Sequence, residues 1–255
     1  MHKNLEIARV RRRVRILRAL GRVALLPFGG ALILVLKWVL RYRIEDRAHW
    51  RAVYQEALAA GKPLLICSNH LTYVDSVLLI YALSHHMRYV FNFRTLTWNL
   101  PAIEYSKNPF FALVGICGKC IFINRKGSRD HFEAIFEVAA ELMRAGEPFT
   151  IFPEGRRSRT GYFDDRKLAY GIGKIATRLP ELQVLCFYMR AEGQQGHSGF
   201  PKPGSCFKLT MKRLEFRPTA NERETVQTVT ETIARTIRDM EGERLDGVRS
   251  PDPGN

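Results

Sequence analysis

Short apolar runs alternate with longer helical patterns through the middle of the chain, and this alternation limits the folds that it can adopt. The runs that fit strands are residues 64–67, 88–93, 119–123, 149–152 and 184–189, followed by 207–211 and 213–216. The patterns that fit helices are residues 45–60, 77–83, 131–144, 168–178 and 221–243. Such alternation is typical of parallel strands joined by helices. We therefore predict an α/β fold with a mostly parallel central sheet flanked by helices.

The first 43 residues predict a membrane-associated helical element. Arginines and lysines in residues 1–22 are interleaved with apolar residues at nearly helical spacing, which indicates a basic amphipathic helix. Residues 23–36 are then uncharged and largely apolar, and Pro27 and Gly29-Gly30 interrupt them. We expect these residues to break the helix, so that two halves dip into one leaflet of a membrane.

Two alternatives stay open for this segment. The uncharged run is shorter than the roughly 20 residues of a spanning helix, but counting on to Leu40 with a snorkelling Lys37 gives a marginal single span. A cleaved signal peptide is less consistent, because no small-residue cleavage site follows. If the segment does span the membrane, the heavier basic flank places the N-terminus in the cytoplasm. The predicted organisation is an anchor over 1–43, a domain over 44–241 and a flexible tail over 242–255.

The net charge of +15 implies an acidic partner. The candidates are an anionic membrane surface, a phosphorylated substrate and nucleic acid. The chain has no recognisable nucleic-acid-binding module and its aromatic residues lie mainly in apolar runs, so we predict the first two partners and no nucleic acid. Cys117 and Cys120 form an isolated C-x-x-C within an apolar run, and we predict neither a metal site nor a cofactor there.

A histidine and an aspartate follow the first predicted strand. His70 lies in the turn that ends the strand, and Asp75 stands at the start of the next helix. A carboxylate there can accept a hydrogen bond from one imidazole nitrogen, which leaves the other nitrogen free as a general base. No Ser or Cys nucleophile is obvious beside the pair, so the pattern suits an enzyme whose nucleophile is a substrate hydroxyl. The structural alternative is a capping turn, because Asp75 also favours a helix N-terminus.

Two further predicted strands end in arginines. Arg125 follows residues 119–123, and Glu154-Gly155-Arg156-Arg157-Ser158-Arg159 follows residues 149–152. The carboxyl ends of parallel strands meet at one crevice, so we expect these arginines near His70, where they would bind phosphate. The alternative for each arginine is a solvated surface position. Glu154 is predicted to orient an arginine or bind a substrate hydroxyl, unless it only balances charge.

Three blocks in this order resemble the leading motifs of glycerolipid acyltransferases, in the branch of the lysophosphatidate acyltransferases. They are Asn69-His70-x4-Asp75, Gly118-x3-Phe122-x2-Arg125 and Phe152-Pro153-Glu154-Gly155-x-Arg157-Ser158. The resemblance extends over roughly residues 64–189. Three blocks in register are far more specific than one, because each match is a separate constraint.

The resemblance implies a reaction and a role for each residue. His70 would be the general base on the acceptor hydroxyl, held by Asp75. The acyl group would come from acyl-CoA or acyl carrier protein as co-substrate, with no cofactor and no metal. The resemblance further implies that the residues of the acceptor pocket are Arg125, Glu154, Gly155, Arg156 and Arg157. It also implies an N-terminal two-helix membrane element, and an acyl groove lined by residues 109–114. We predict that the protein is bound to the cytoplasmic face of a membrane, either monotopically or by a single N-terminal span.

The chain departs from the family pattern at two positions near the acceptor pocket. Arg156 stands where the family usually has Thr, and Leu168-Ala169-Tyr170-Gly171 stands in place of Phe-Lys-x-Gly. These departures leave the acceptor open between lysophosphatidate and another lyso-lipid, such as an aminolipid or a glycolipid. A non-catalytic membrane-peripheral protein is the remaining alternative, which the presence of both His70 and Asp75 disfavours.

Overall fold

The computed structural model describes residues 2–194, 196 and 199–249. Its strands are β1 Arg43–Ile44, β2 Leu64–Ser68, β3 Trp98–Asn99, β4 Phe149–Ile151, β5 Leu182–Ala191 and β6 Cys206–Phe216. They form a six-stranded sheet in the order β1-β6-β5-β2-β4-β3. Neighbouring strands of this sheet are parallel, except that β5 and β6 are antiparallel. The predicted α/β fold with a mostly parallel sheet is therefore confirmed.

Helices precede, connect and follow these strands. The α-helices are α1 His2–Ala24, α2 Gly30–Leu34, α3 Arg47–Ala59, α4 Asp75–Leu83, α5 His86–Phe91, α6 Pro109–Cys117, α7 Arg129–Arg144, α8 Gly171–Ala176 and α9 Glu222–Arg249. Two short π-helical segments, Leu25–Gly29 and Val35–Val39, continue α1 and α2, and 3₁₀ turns occupy Phe93–Thr95 and Ile103–Lys107.

Helices cover both faces of the sheet. Every residue of β2 and β5 is buried, which is typical of strands packed on both sides. Successive residues of β2 point to opposite faces, so Leu65 packs in the cluster that includes side chains of α7, α8 and α9. Its neighbour Ile66 packs in the other cluster, with side chains of α3, α4 and α5. The site described below lies at the carboxyl ends of β2 and β4, between these layers.

The N-terminal segment is one continuous helix, His2–Val39, rather than the predicted helix with a break. The predicted break at Pro27 and Gly29-Gly30 is wrong. A proline has no backbone N–H and its ring crowds the preceding turn, and the π-helical segment Leu25–Gly29 accommodates it without ending the helix. By length and composition this helix could also cross a membrane.

One face of the N-terminal helix packs against the rest of the molecule. Val14 and Leu17 pack in the cluster around α7, and Leu25 and Leu36 pack in the cluster around α4. Arg11 donates hydrogen bonds to Glu141 of α7. The outer face is apolar and exposed over residues Ile16, Leu20, Val23, Leu26, Phe28, Leu34, Val35, Trp38 and Val39. The helix is thus docked along the domain with an apolar side turned outward.

Two of the predicted strands are absent from the sheet. Residues 88–93 belong to α5 and the following 3₁₀ turn, because Tyr89 and Phe93 are both buried while Phe91 between them is 83% exposed. A strand would put all three side chains on one face, whereas a helix brings residues four apart together. Residues 119–123 touch the sheet only through isolated bridges at Cys120 and Ile123, and β3 forms the edge instead.

Three other elements, α6, β6 and α9, differ from the predicted ones. α6 was not predicted, although Asn108 caps it and Pro109 occupies its first turn, a pattern that favours a helix start. The two predicted strands at 207–211 and 213–216 are one strand, β6. The closing helix continues past the predicted end at residue 243 to Arg249. It therefore includes the first part of the predicted tail, 242–255, and residues 250–255 lie outside the described residues.

Candidate active site

The turn between β2 and α4 brings His70 and Asp75 into contact. His70 follows the buried strand, and Asp75 is the first residue of α4. The Nδ1 atom of His70 lies 2.9 Å from Oδ2 of Asp75. Because this carboxylate accepts a hydrogen bond from Nδ1–H, the neutral imidazole keeps its free lone pair on Nε2. His70 lines the large cavity described below, so this nitrogen can meet a bound substrate.

The Asp75 carboxylate is held by several donors of the same turn. Its Oδ2 atom also accepts hydrogen bonds from the backbone N–H groups of Leu71 and Thr72, both at 2.7 Å. The Thr72 hydroxyl donates to Oδ1 at 2.5 Å. Asp75 is almost fully buried. Donors of this kind stabilise the ionised carboxylate, which in turn fixes the orientation of the imidazole.

Two contacts fix the position of the His70 turn against the sheet. Asn69 is buried and exchanges hydrogen bonds with the backbone of Met189 on β5, at 2.9 Å and 2.8 Å. The imidazole ring of His70 stacks on Phe152 with 4.1 Å between ring centroids. The turn that carries His70 therefore contacts both neighbours of β2 in the sheet: β5 through Asn69, and the end of β4 through Phe152.

The Glu154 carboxylate binds backbone amides rather than an arginine. It accepts hydrogen bonds from the N–H of His70 at 2.6 Å and from the N–H of Asp164 at 2.9 Å. Burial raises the pKa of Glu154 to about 8. In addition, the N–H of Ser158 donates to the carbonyl of His70 at 2.8 Å. Glu154 thus joins the turns that follow β2 and β4, a contact that the sequence did not predict, and its role toward an acceptor stays a prediction.

The predicted arginines line one cavity with His70. Arg125, Gly155, Arg156, Arg157 and Arg159 all contribute to its wall. Arg125 donates to the carbonyl of Gly155, which connects the turn after residue 123 with the turn after β4. The structure therefore brings these predicted residues together at the carboxyl edge of the sheet.

An aspartate that the sequence analysis missed organises two of the basic side chains. Asp164 Oδ2 lies 3.1 Å from a guanidinium nitrogen of Arg156, and Asp164 Oδ1 lies 2.8 Å from Nε of Arg166. Hydrogen bonds from Arg166 and Arg156, together with the charge of Arg166, hold the pKa of Asp164 well below its usual range. Arg156, the residue that replaces the usual Thr, is therefore neutralised locally by a carboxylate in the same cavity.

Arg157 lies on an aromatic ring from the histidine turn. Its guanidinium carbon is 3.5 Å from the centroid of the Tyr73 ring, within the range of a cation–π interaction. Tyr73 in turn contacts Phe111 of α6 and Phe200. Tyr73 lies between His70 and Asp75 in sequence, so the turn that carries the base also positions an arginine.

The cavity has a volume of about 850 Å³ and is large enough for a lipid-sized ligand. Its polar wall is formed by His70 and the arginines. Apolar residues line the rest, from α4 and α6 on one side and from α7 and α8 on the other. They include Val77, Ile80, Phe111, Val114, Phe132, Phe136, Ile172 and Ile175. Phe111 and Val114 belong to the segment that was predicted to line an acyl groove.

The residues missed by the sequence analysis gave little local signal. Asp164 and Arg166 lie in a loop between β4 and α8, and Phe152 and Tyr73 belong to apolar or mixed stretches. Their contribution depends on the folding of distant turns onto each other. Asn69 was named only as part of the first motif, and its hydrogen bonds to β5 could not be predicted from its neighbours in sequence.

Burial affects the thiols of both cysteines in the C-x-x-C pair. Burial raises the pKa of Cys120 to about 12, and it also raises the pKa of Cys117. The thiolate is the form that binds metals and attacks disulfides, and a raised pKa makes this form less populated. No cluster of potential metal ligands occurs within the part of the chain that the structure describes.

Comparison with known protein families identifies a match. A sequence model of the family described as Acyltransferase matches residues 50–190, which is more than half of the chain. The matched region contains the His70 turn, the arginine turns and the strands that carry them. No curated protein matches the chain.

Proposed function

The chain belongs to the Acyltransferase family, and from this premise we propose that it is a membrane-bound O-acyltransferase for a lysophospholipid. The acyl donor is acyl-CoA or acyl carrier protein. The acceptor is the free hydroxyl of 1-acylglycerol-3-phosphate, and the product is phosphatidic acid. The observation that carries this proposal is the His70–Asp75 contact at 2.9 Å, at the wall of a cavity that is also lined by five arginines and many apolar residues.

The proposed mechanism uses the free nitrogen of His70 as the base. His70 Nε2 takes the proton of the acceptor hydroxyl while the oxygen attacks the thioester carbonyl carbon. The C–S bond breaks as the ester bond forms, and the thiol leaves with the proton that His70 carried. Asp75 holds the tautomer and stabilises the imidazolium between these steps. No acyl-enzyme is required.

The arginines support an anionic acceptor. Guanidinium groups bind phosphate oxygens in a bidentate manner, and Arg125, Arg157 and Arg159 line the cavity together with His70. In this proposal they hold the phosphate of the acceptor so that its hydroxyl faces Nε2 of His70. The apolar residues of α4, α6, α7 and α8 hold acyl chains, and no cofactor is needed.

A second acceptor class is favoured by one specific observation. Asp164 lies in the cavity wall, in contact with Arg156 and Arg166. A carboxylate there can accept a hydrogen bond from an amine or hydroxyl of a larger headgroup. A lyso-aminolipid or a lyso-glycolipid is therefore the alternative acceptor, with the same base and the same donor.

The N-terminal helix supports attachment to the cytoplasmic face of a membrane. Its inner face packs on the domain and its outer face is apolar. In our proposal the outer face lies in the membrane interface, parallel to its plane, and the basic residues of α1 contact anionic headgroups. The cavity then opens close to its lipid substrates.

The test of the mechanism is the release of free thiol from acyl-CoA and from acyl carrier protein, with lysophosphatidate as acceptor. His70→Ala and Asp75→Asn should each lower the rate by at least about 10²-fold, because positioned acid–base catalysis contributes 10² to 10⁴. The matched control is His49→Ala, since His49 is exposed on α3.

The control should retain the wild-type rate. Unchanged turnover in purified, folded His70→Ala would contradict the mechanism. A loss in both His70→Ala and His49→Ala would point to a general effect of the substitutions and remove the support for His70 as the base.

A further inference from the structure

A second basic group lies outside the cavity, where α3 meets the connection between α4 and α5. Arg47 and Arg51 are four residues apart on α3 and therefore share one face of this helix. Neither has a carboxylate within ion-pair distance among residues 2–194, 196 and 199–249. By contrast, Arg11, Arg18, Arg178 and Arg213 each pair with a glutamate.

The side chains of this group converge on one another. Nη1 of Arg51 lies 2.6 Å from Nε2 of His85, and the Arg47 guanidinium lies 4.4 Å from the centroid of the Tyr81 ring. The Nε atom of Arg51 is buried and has no hydrogen-bond partner. Burial and the neighbouring Arg47 lower the pKa of Arg51, and burial together with both arginines lowers the pKa of His85. Basic groups crowded together without a counter-charge form a site for an anion.

This group is distant from the reaction site and close to the apolar surface. His85 and Asp75 flank opposite ends of α4, whose nine residues extend about 13 Å. The next residue, His86, packs against Gly29 in the N-terminal helix, where a Cβ atom would lie 2.9 Å from its ring. On α5, Met87 and Phe91 are exposed apolar residues. Arginines beside exposed apolar side chains are typical of a surface at the level of lipid headgroups.

We propose that Arg47, Arg51 and His85 bind the phosphate of an anionic phospholipid in the bilayer, at a site separate from the reaction site. The inference rests on the membrane attachment proposed above. Arg47 and Arg51 donate N–H groups to the phosphate oxygens. Because Nε2 of His85 accepts from Arg51, its Nδ1–H is the remaining donor of the ring. This site orients the domain so that α5 and the N-terminal helix face the lipid.

The test is binding of the purified full-length protein to vesicles of phosphatidylcholine, with and without phosphatidylglycerol. For wild type, phosphatidylglycerol should strengthen binding. The double variant Arg47→Gln/Arg51→Gln should lose about 30-fold in affinity for the anionic vesicles, since each arginine near such a surface contributes about five- to sixfold. The matched control is Arg217→Gln/Arg235→Gln, which removes the same charge from two exposed arginines outside this group.

A charge-conserving variant distinguishes a specific phosphate site from non-specific electrostatic attraction to the anionic membrane. Arg47→Lys/Arg51→Lys keeps both charges but loses the planar donor geometry, so a phosphate site should lose about tenfold in affinity. Full binding by this variant, or an equal loss in the control pair, would overturn the proposal. Displacement of wild type from anionic vesicles by soluble coenzyme A would also overturn it, because the phosphate would then belong to the donor.

Acyl transfer is measured in parallel, in detergent micelles without anionic phospholipid. There, Arg47→Gln/Arg51→Gln should release thiol at the wild-type rate, because these residues do not line the reaction cavity. If wild type transfers no acyl group, the proposed function is refuted. The proposed phospholipid site is tested separately, by the vesicle measurement.

Discussion

At the scale of single residues, the position of His70 depends on contacts with residues from more than one sequence motif. Its side chain contacts Asp75 and Phe152, its N–H donates to Glu154, and its carbonyl accepts from Ser158. A base that must lie within hydrogen-bond reach of a substrate hydroxyl needs this precision, since small displacements lower the rate strongly. Among these contacts, Glu154 has a pKa that burial raises to about 8.

We predict a stability effect for Glu154. Burial raises the pKa of Glu154 from 4.5 to about 8, so the folded protein keeps a proton that the unfolded chain releases between these values. The free energy of unfolding contributed by this group therefore falls as pH rises from 4.5 to 8. The side chain of Glu154→Gln does not titrate. The free energy of unfolding of this variant should therefore rise relative to that of wild type as pH increases from 4.5 to 8. Urea unfolding followed by circular dichroism, in detergent, measures the difference.

The control for this measurement is Glu104→Gln, because Glu104 is exposed in a 3₁₀ turn. Its unfolding profile should run parallel to that of wild type at every pH. A Glu154→Gln profile that also stays parallel would mean that Glu154 is ionised in the folded protein, contrary to the account.

At the scale of elements, the N-terminal helix combines a structural role with membrane attachment. Val14, Leu17 and Leu36 are part of the core, so deletion of residues 1–43 would expose apolar clusters of the domain as well as remove the anchor. Substitution of the outer face separates the two roles, because those side chains contact little of the protein.

We expect the triple variant Val23→Gln/Trp38→Gln/Val39→Gln to leave the membrane fraction. These side chains are 78%, 66% and 67% exposed. Each would bury apolar surface worth about 1.5–3 kcal/mol in the membrane, while exposed substitutions usually change folding stability by no more than about 0.5 kcal/mol. Sedimentation of cell membranes measures the distribution, and thermal unfolding in detergent checks that the variant is folded.

The comparison variant is Tyr170→Gln, which replaces an exposed aromatic residue beside α8. It should stay with the membranes. A folded triple variant that also stays there would place the attachment elsewhere in the chain.

The elements also show where prediction from sequence succeeds and where it does not. β2, β4 and β5 are short apolar runs between turns, and the sequence is sufficient to locate them. In residues 88–93, polar and apolar side chains alternate in a way that fits a strand. The structure has a helix and a 3₁₀ turn there, which bury Tyr89 and Phe93 and leave Phe91 exposed. The contacts that bury these two side chains form only in the folded molecule. The break expected at Pro27 is absent because a π-helical segment accommodates the ring.

At the scale of the whole molecule, the sequence predicts the centre of the site better than its edges. His70, Asp75, Arg125 and Arg157 occur in motifs with fixed spacing. The parallel strands β2 and β4, together with the bridged segment 119–123, bring these motifs together at one edge of the sheet. Asp164 and the bonds from Asn69 to β5 depend on contacts between segments far apart in sequence. Such contacts leave no local pattern, so the sequence could not reveal them.

The most direct test of the central claim is the identification of the reaction product by mass spectrometry. Purified protein is incubated with acyl-CoA or acyl carrier protein and a panel of lysophosphatidate, lyso-aminolipid and lyso-glycolipid acceptors, with His70→Ala in parallel. We predict that wild type adds one acyl chain to lysophosphatidate, or to one of the other acceptors, and that His70→Ala does not. Release of thiol with free fatty acid and no acylated lipid would identify a hydrolase and contradict the claim.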